Sequence, residues 1–311
     1  MNHEYRLCLA QDFFHPDVRN LAWVLASPAL LSYLPEFSQT LTVLDDTFWQ
    51  SHTQAYWPRL QALDANPEPL TTFLAQHKNH RLGYYFEYLL LFWLLDRDYH
   101  AFELIQHRAT LYQGKITIGE LDFLVKNHAT AKIEHWEVAI KFYLGHAPLN
   151  DAWRWLGPND RDSLGRKLKH LAEQQFRFAS WQDYDIERRC LVMKGRLFYP
   201  ASHKTLLQAA QGEQLACLAP QHLQGNWLLW SDFVQSEEAA QLHWRHVGRD
   251  EWLANQQINK HLPLVLAHQL PPLATARPEL FLGFDADGQE QARCFVCPAQ
   301  RQDLHELPFK H

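Results

Sequence analysis

The chain has 311 residues, of which 47% are hydrophobic, so it is long enough to bury one large core or two moderate ones. Its formal net charge of −6 excludes a protein that coats nucleic acid with its whole surface, because such proteins are basic overall. Any contact with nucleic acid must therefore be local.

The compartment is predicted from the cysteines and the apolar runs. The five cysteines are scattered and odd in number, unlike the framework of a secreted disulfide-rich protein. The sequence starts with polar residues and lacks the apolar core of a signal peptide. The longest apolar run, residues 88–95, is too short to span a bilayer. We expect a cytoplasmic protein with no membrane partner.

The first part of the chain is predicted to be a helical extension, residues 1–69, packed on a core. Helix breaks are expected at four prolines, which are Pro16, Pro28, Pro35 and Pro58. Pro67 and Pro69 mark the boundary to a strongly apolar helix over residues 70–96.

Strands follow this helix. Residues 101–112 are predicted as a strand, and 115–119 as a turn or the start of a short strand. Residues 120–126 and 133–144 alternate with the period of two that is typical of strands. In the last of these runs the even-numbered residues 136–144 are apolar, and the opposite face has Glu137, Ala139 and Lys141.

The remaining pattern completes a core over residues 70–200. A helix over 164–179 and a strand over 190–199 give the order helix, three strands, helix, strand. This order predicts an α/β (mixed α+β) fold in which helices flank a mixed sheet. Residues 201–311 are predicted as a smaller accessory α+β region, with strands in 221–234 and 280–298 and a helix over 249–261.

Glu87 lies within the apolar helix, in the segment Gly83-Tyr-Tyr-Phe-Glu87 followed by Tyr-Leu-Leu-Leu-Phe-Trp. Apolar residues surround it on nearly all sides of the helix. A carboxylate buried there costs several kcal/mol unless another group pairs with it. The alternative is that Glu87 points outward to solvent.

Two strand segments add further polar groups. Asp122 lies mid-strand in Gly119-Glu-Leu-Asp122, where aspartate is disfavoured, and Glu120 shares its face. Glu137 and Lys141 in His135-Trp-Glu137-Val-Ala-Ile-Lys141 also share one strand face. Each segment alone is compatible with a solvated strand face or a surface ion-pair ladder.

Together these residues suit phosphodiester hydrolysis. Asp122 and Glu137 supply the hard oxygen ligands that Mg²⁺ or Mn²⁺ prefers, and Glu87 would complete the metal shell. The metal would polarise a phosphate and activate a water molecule. Lys141 would orient that water or stabilise the developing charge.

These segments resemble the PD-(D/E)XK nuclease superfamily, whose core has the same element order. The resemblance covers under half of the chain and implies catalytic roles for Glu87, Asp122, Glu137 and Lys141. The whole chain also resembles DUF1853, a bacterial family of unknown function identified as a member of that superfamily. The matching segments are Gly119-Glu-Leu-Asp-Phe-Leu, His135-Trp-Glu-Val-Ala-Ile-Lys-Phe and Gly157-Pro-Asn.

One position departs from the superfamily pattern. The second acid usually stands two residues before the lysine, where this sequence has Ala139. Glu137 is one further strand step away, roughly 6.6 Å. Either Glu137 still reaches the metal, or Glu120 or Glu134 substitutes for it, or the site no longer cuts and the fold serves as a nucleic-acid or protein binding module.

A local basic segment is the candidate nucleic-acid surface, with DNA preferred over RNA. The residues are Arg166, Lys167, Lys169 and His170 on the predicted helix after the lysine strand. An ordinary solvated helix face is the alternative. Cys294 and Cys297 form a lone CxxC pair and are predicted to be structural, and Asp285–Gly288 is predicted as a hairpin turn.

Overall fold

A computed structural model describes residues 13–35, 37, 41–79, 81–201, 214–256, 265–273 and 275–298. The chain divides into two compact units. The first unit contains residues 1–141, 168–195 and 217–222, and the second contains 142–167, 196–216 and 223–311. The boundaries expected near residues 69 and 200 remain predictions, and Cys8 lies outside the described residues.

Among the described residues, four helices lie wholly within the first unit. They are α1 (Pro16–Ala26), α2 (Asp46–Ala65), α3 (Glu68–Ala75) and α4 (Leu82–Leu95). Helix α1 begins at Pro16, whose fixed φ suits the first helical position. Asp45 caps α2 by accepting the backbone N–H of Phe48.

Two predictions about these helices were wrong. Pro58 lies inside α2 rather than at a break. Tyr56 and Leu60 on either side of it are fully buried, so packing offsets the hydrogen bond that the proline removes. The apolar helix expected over residues 70–96 consists of α3 and α4, because the polar segment between them ends the first helix at Ala75.

The strands of the first unit include a long antiparallel hairpin. They are β1 (Leu41–Val43), β2 (Phe102–Gln113), β3 (Ile116–Asn127), β4 (Lys132–Gly145), β6 (Ser180–Trp181), β7 (Tyr184–Asp185) and β8 (Arg188–Pro200). The order is β2-β3-β4-β8, with β1 parallel to β8 and with β6 and β7 as a separate pair. Strands β4 and β8 each continue into the second unit.

Strand β4 follows the predicted alternation, but both of its faces are covered. Every residue from 134 to 140 is buried, including the charged ones. Strand β4 is thus an interior strand, and its polar side chains need partners inside the protein.

The second unit has mainly antiparallel strands. Its elements are β5 (Trp155–Leu156), β9 (Leu223–Leu229), α6 (Trp230–Gln235), α7 (Glu237–Ala240), β10 (His243–Val247), β11 (Val265–Leu266), β12 (Glu279–Phe284) and β13 (Glu290–Cys297). The order is β11-β10-β12-β13-β9-β8, and β5 pairs with the end of β4. Asp285 closes the predicted hairpin turn by accepting the N–H groups of Asp287 and Gln289.

Helix α5 (Leu164–Glu173) begins in the second unit and ends in the first. It is shorter than predicted, because a 3₁₀ turn over Gln175–Arg177 follows it. The helix expected over 249–261 was wrong within its described part, which has only a 3₁₀ turn at Arg249–Glu251. Arg293 binds the carbonyl groups of residues 252–254, which a continuing helix would have used. Residues 257–261 lie outside the described part.

Each unit buries its own aromatic core. In the first, Trp93 and Phe102 pack against Trp136, with ring centroids 6.3 and 4.9 Å away. In the second, Phe233 packs against Trp244 at 4.9 Å and Phe281 at 5.8 Å.

The predicted fold class is confirmed: a large mixed sheet with helices packed on it. None of the helices in the described part of the chain is both long and apolar enough to span a membrane. The four described cysteines, at positions 190, 217, 294 and 297, are free and buried.

Candidate functional site at the separation of two strands

The candidate site lies where β3 and β4 stop pairing. Their described ladder runs from Asn127 and Lys132 to Phe123 and Trp136. The next opposing positions are Asp122 and Glu137. There the carboxylate of Asp122 replaces main-chain pairing, because its Oδ2 accepts the Val138 N–H at 2.8 Å.

Continued by one position, the register of this ladder sets Asp122 against Glu137 rather than against Ala139. Lys141 lies four residues further along β4 than Glu137, which is roughly 13 Å of extended strand. Its side chain is partly exposed.

Glu137 is enclosed by polar groups. It is 2% exposed, and its Oε1 accepts from the Gln175 amide at 2.8 Å. Arg189 holds the turn that contains Gln175 by donating to the carbonyl oxygens of Phe176 and Phe178. Gln175 therefore has a fixed position from which it orients the carboxylate.

His135 lies beside Glu137, with its Nε2 3.9 Å from Oε2. The imidazole is fully buried, and neither ring nitrogen has a hydrogen bond to the described residues. Burial lowers the pKa of His135 to about 4, against the opposing effect of Glu137. The ring is therefore neutral at neutral pH.

Glu87 is buried, as its apolar neighbours predicted, and is held by two basic side chains of β2. Arg108 donates from Nε and Nη2 to its two oxygens, both at 2.8 Å. His107 Nε2 lies 2.6 Å from Oε1. Burial raises the pKa of Glu87, but the hydrogen bonds and charges of Arg108 and His107 outweigh it and hold the pKa below its usual value.

An unusual backbone conformation allows both contacts. Adjacent residues of a strand normally point to opposite faces. Arg108 has φ of +53°, in the left-handed region, and this breaks the alternation. The side chains of His107 and Arg108 thereby reach the same carboxylate on α4.

The two alternative acids have other surroundings. Glu134 is buried and accepts from Asn127, Trp136 and Arg188, at 2.8 to 3.1 Å. Glu120 is exposed and stands opposite a threonine of β2. Neither lies opposite Asp122, so Glu137 is the acid that the register pairs with it.

The family was identified by comparison with known proteins. A family model described as a domain of unknown function, DUF1853, matches residues 19–297. The chain belongs to the DUF1853 family. The comparisons with curated proteins and with solved structures each found no match.

The matched DUF1853 region contains every residue of the predicted site. Asp122 and Glu137 each lie one residue beyond the last printed pair of the β3–β4 ladder, Phe123 and Trp136, and Glu87 is bound by Arg108. Across the described ranges, no three His, Cys, Asp or Glu side chains are grouped so that they could hold a metal ion.

Four residues in contact with the predicted acids were not predicted from the sequence, namely His107, Arg108, His135 and Gln175. His107 and Arg108 could have been found from the sequence, because a buried Glu87 needs a cationic partner and these are the basic residues of the next strand, β2. No local pattern indicates the contact between Gln175 and Glu137, because it depends on how the turn after α5 folds back.

The predicted nucleic-acid residues all lie on α5. Arg166, Lys169 and His170 are exposed, and Lys167 is half-buried. Arg166 donates to the carbonyl oxygen of Arg161, which orients its guanidinium at the start of the helix. The apolar residues of α5, among them Leu164, Leu168 and Leu171, are buried, so the basic groups form its outer face.

Proposed function

We propose that this chain hydrolyses phosphodiester bonds of nucleic acid, with DNA preferred, through a PD-(D/E)XK-like site that uses Mg²⁺ or Mn²⁺. The observation that supports this most is the opposition of Asp122 and Glu137 where β3 and β4 separate. Two carboxylates on adjacent strands, with a lysine on the same strand as one of them, are the groups that such a reaction requires.

Two carboxylates fit Mg²⁺ in particular. This ion is usually bound by one or two carboxylates together with water and substrate phosphates, rather than by a full set of protein ligands. Asp122 and Glu137 would hold it, and the N–H groups described above orient both carboxylates. The bound cation would supply Lewis-acid polarisation of the phosphate and a water of lowered pKa.

The chain's own groups then have separate tasks. Gln175 orients Glu137, and the main chain of Val138 orients Asp122. In this proposal Lys141 extends its long side chain back along β4 and stabilises the charge that develops on the phosphate. The basic face of α5 contacts the phosphate backbone of the nucleic acid. We also propose that the protein is located in the cytoplasm.

Cleavage assays of the full chain test this function. We expect the wild type to cut double-stranded DNA, single-stranded DNA or RNA when Mg²⁺ or Mn²⁺ is added. Asp122→Asn and Lys141→Ala should each lower the rate by about 10²-fold or more, because each removes a group that acts on the reacting phosphate. The rate of product formation on gels is the measurement.

Glu103→Gln is the matched control, since Glu103 is a partly exposed carboxylate of the same hairpin that pairs with His128. Its rate should equal that of the wild type. Absence of cleavage of every nucleic-acid form with either ion would contradict the proposal.

A second function is favoured by other observations. Glu137 is 2% exposed and Glu87 is occupied by Arg108 and His107, so a third metal ligand is missing among the described residues. The chain would then be a binding module for nucleic acid or protein with a nuclease-derived fold. Binding that EDTA leaves unchanged, without cleavage, would distinguish this function from hydrolysis.

A further inference from the structure

The tip of the β2–β3 hairpin exposes two large apolar side chains. Residues 112–117 are all exposed, and Gly114 and Lys115 form the turn at the end of the hairpin. Tyr112 is 65% exposed and Ile116 is 70% exposed. Single apolar side chains on a surface are common, but a group of them at one place marks an interaction site. The tip is therefore a candidate contact for a partner.

The foot of this hairpin is held by the segment that follows α5. The Trp181 indole N–H donates to a carbonyl oxygen of β2 at 3.2 Å. Arg177 donates from Nη2 to the carbonyl oxygen of Ile118 at 2.7 Å. The ring of Phe178 packs directly on the main chain of Gly119, where a Cβ would stand 2.6 Å from it. These contacts support the hairpin just below its tip, so the exposed side chains have a fixed base.

The charges around the tip favour an anionic partner. The segments 112–119 and 174–182 contain Lys115 and Arg177 and no aspartate or glutamate. In its described contacts Arg177 donates to an amide oxygen and a carbonyl oxygen, which are both neutral. Its positive charge is therefore not compensated by these contacts. Two cations beside an apolar tip suit the phosphate backbone of a nucleic acid.

The two apolar side chains lie on opposite faces of the tip. The register pairs Tyr112 with Thr117 and Gln113 with Ile116. Because paired residues share a face and successive residues alternate, Tyr112 and Ile116 point away from each other. A thin apolar element with an aromatic ring on one side fits between two successive unpaired bases, since every base has a π-face on which a ring can stack.

The tip is also at a suitable distance from the candidate site. Ile116 and Asp122 are six residues apart on β3, which is roughly 20 Å of extended strand. Stacked nucleotides advance about 3.4 Å each along one strand, so this distance corresponds to about six nucleotides. A single strand of nucleic acid is thus long enough to contact both places.

We infer that the tip of the β2–β3 hairpin stands between unpaired bases of the bound nucleic acid. Tyr112 stacks on one base, Ile116 packs against the next, and Lys115 contacts a phosphate beside them. This inference rests on the proposed function and narrows its substrate to nucleic acid with a single-stranded segment.

Two oligonucleotides separate base contacts from phosphate contacts. The full chain is titrated, with Ca²⁺ in place of Mg²⁺, with a fluorescein-labelled single-stranded DNA and with an abasic strand of equal length. The abasic strand keeps the phosphates and lacks the bases. Tyr112→Ala should weaken binding of the DNA by about tenfold, the size expected for one aromatic stack, and leave binding of the abasic strand unchanged. Tyr112→Phe should bind as the wild type does, because it keeps the ring.

The other two side chains of the tip have their own expected effects. Ile116→Ala should weaken binding of the DNA alone, by a smaller factor than Tyr112→Ala because no ring is lost. Lys115→Gln should weaken binding of both strands equally. It should also lower the slope of log K against log salt by about 0.7, the change for one phosphate contact of a single strand.

Tyr184→Ala is the matched control. Tyr184 is a 39% exposed tyrosine of the same unit, but Asp183 and Asp185 flank it, and their charges repel phosphates. Its loss should leave the affinity for both strands unchanged. Thermal melting shows whether each variant is folded, and Ile116→Ala preserves the test if Tyr112→Ala does not fold.

The outcomes separate this inference from the proposed function. If the wild type binds and cuts nucleic acid and folded Tyr112→Ala binds the DNA equally well, the inference is wrong and the function stands. An equal loss on the abasic strand also overturns the inference, because bases would then not be contacted. If the DNA is bound through Tyr112 but never cut with Mg²⁺ or Mn²⁺, the inference stands and hydrolysis is wrong.

If the wild type binds no nucleic acid, both the inference and the proposed function are wrong. Analytical ultracentrifugation then identifies the other use of the tip. A wild-type dimer that Tyr112→Ala converts to a monomer would mean that the tip contacts a second copy of the chain.

Discussion

Buried polar side chains of the first unit differ in how fully they are paired. Glu134 accepts three nitrogen donors, and Glu87 is bound by Arg108 and His107. His135 is as deeply buried but makes no hydrogen bond to the described residues through either ring nitrogen. A neutral imidazole in such a place makes stability depend on pH, because protonation occurs more readily in the unfolded chain.

We predict that His135 makes the protein sensitive to acid. Its pKa is about 4 when folded and about 6.5 when unfolded, so the unfolded state binds more protons between these values. The stability is complete above pH 6.5 and declines as the pH falls toward 4, by about 2–3 kcal/mol at pH 4.5. Urea unfolding at pH 7.5 and 4.5 measures it.

His135→Met should lose less stability on acidification than the wild type, by this amount. The control is His128→Met, because His128 is exposed and its removal leaves the contribution of His135 in place. Equal acid sensitivity of the wild type and His135→Met would contradict the prediction.

At the scale of the elements, two strands approach closely at one glycine. Gly195 of β8 has φ of +139°, and a Cβ there would stand 1.7 Å from the carbonyl oxygen of Lys141 on β4. Only a residue without a side chain permits this approach. The main-chain position of Lys141, and hence the aim of its side chain, depends on Gly195.

Gly195→Ala should therefore destabilise the protein by about 3 kcal/mol or more, through both the clash and the backbone conformation. Gly83→Ala is the opposite case, since Gly83 lies in helix α4 and no atom is within 4 Å of its Cβ position. That variant should stabilise by about 0.5–1 kcal/mol. Thermal melting of both variants measures whether stability falls in Gly195→Ala and rises in Gly83→Ala. A Gly195→Ala protein as stable as the wild type would contradict the requirement for glycine at this position.

The sequence patterns predicted the helices and strands better than they predicted the contacts between them. The strands predicted over 133–144 and 190–199 correspond to β4 and β8, which are one or two residues longer at each end. The interruption of the apolar helix, the continuation of α2 through Pro58 and the left-handed Arg108 were not predicted, because packing and ion pairing across elements decide them.

For the candidate site, too, some residues could be predicted from the sequence, but the contacts of Glu87 could not. Asp122 and Glu137 were predicted as members of one site, and the register of two strands places them opposite each other. The partners of Glu87 required knowledge of which side of β2 faces helix α4. A residue type and a period indicate that a carboxylate is buried, but they do not indicate which cation lies next to it.

At the scale of the molecule, two units each have an aromatic core. Phe233→Ala should cost about 3–5 kcal/mol, since the ring is fully buried against Trp244 and Phe281. Hydrogen exchange should become faster in β10, β12 and β13, and mass spectrometry of peptides measures it. Tyr112→Ala is the aromatic control, since that ring is 65% exposed and its loss should leave exchange there unchanged. Exchange that does not change in Phe233→Ala would refute this.

The four buried thiols give each unit its own chemical reporter. Cys190 and Cys217 belong to the first unit, and Cys294 and Cys297 belong to the second. Burial raises the pKa of all four thiols, and the thiolate is the form that alkylating reagents attack. In the native protein these sulfurs react slowly for two reasons: they are buried away from the reagent, and they remain protonated. The rate at which iodoacetamide modifies each cysteine is thus a direct measure of how often the surrounding unit opens.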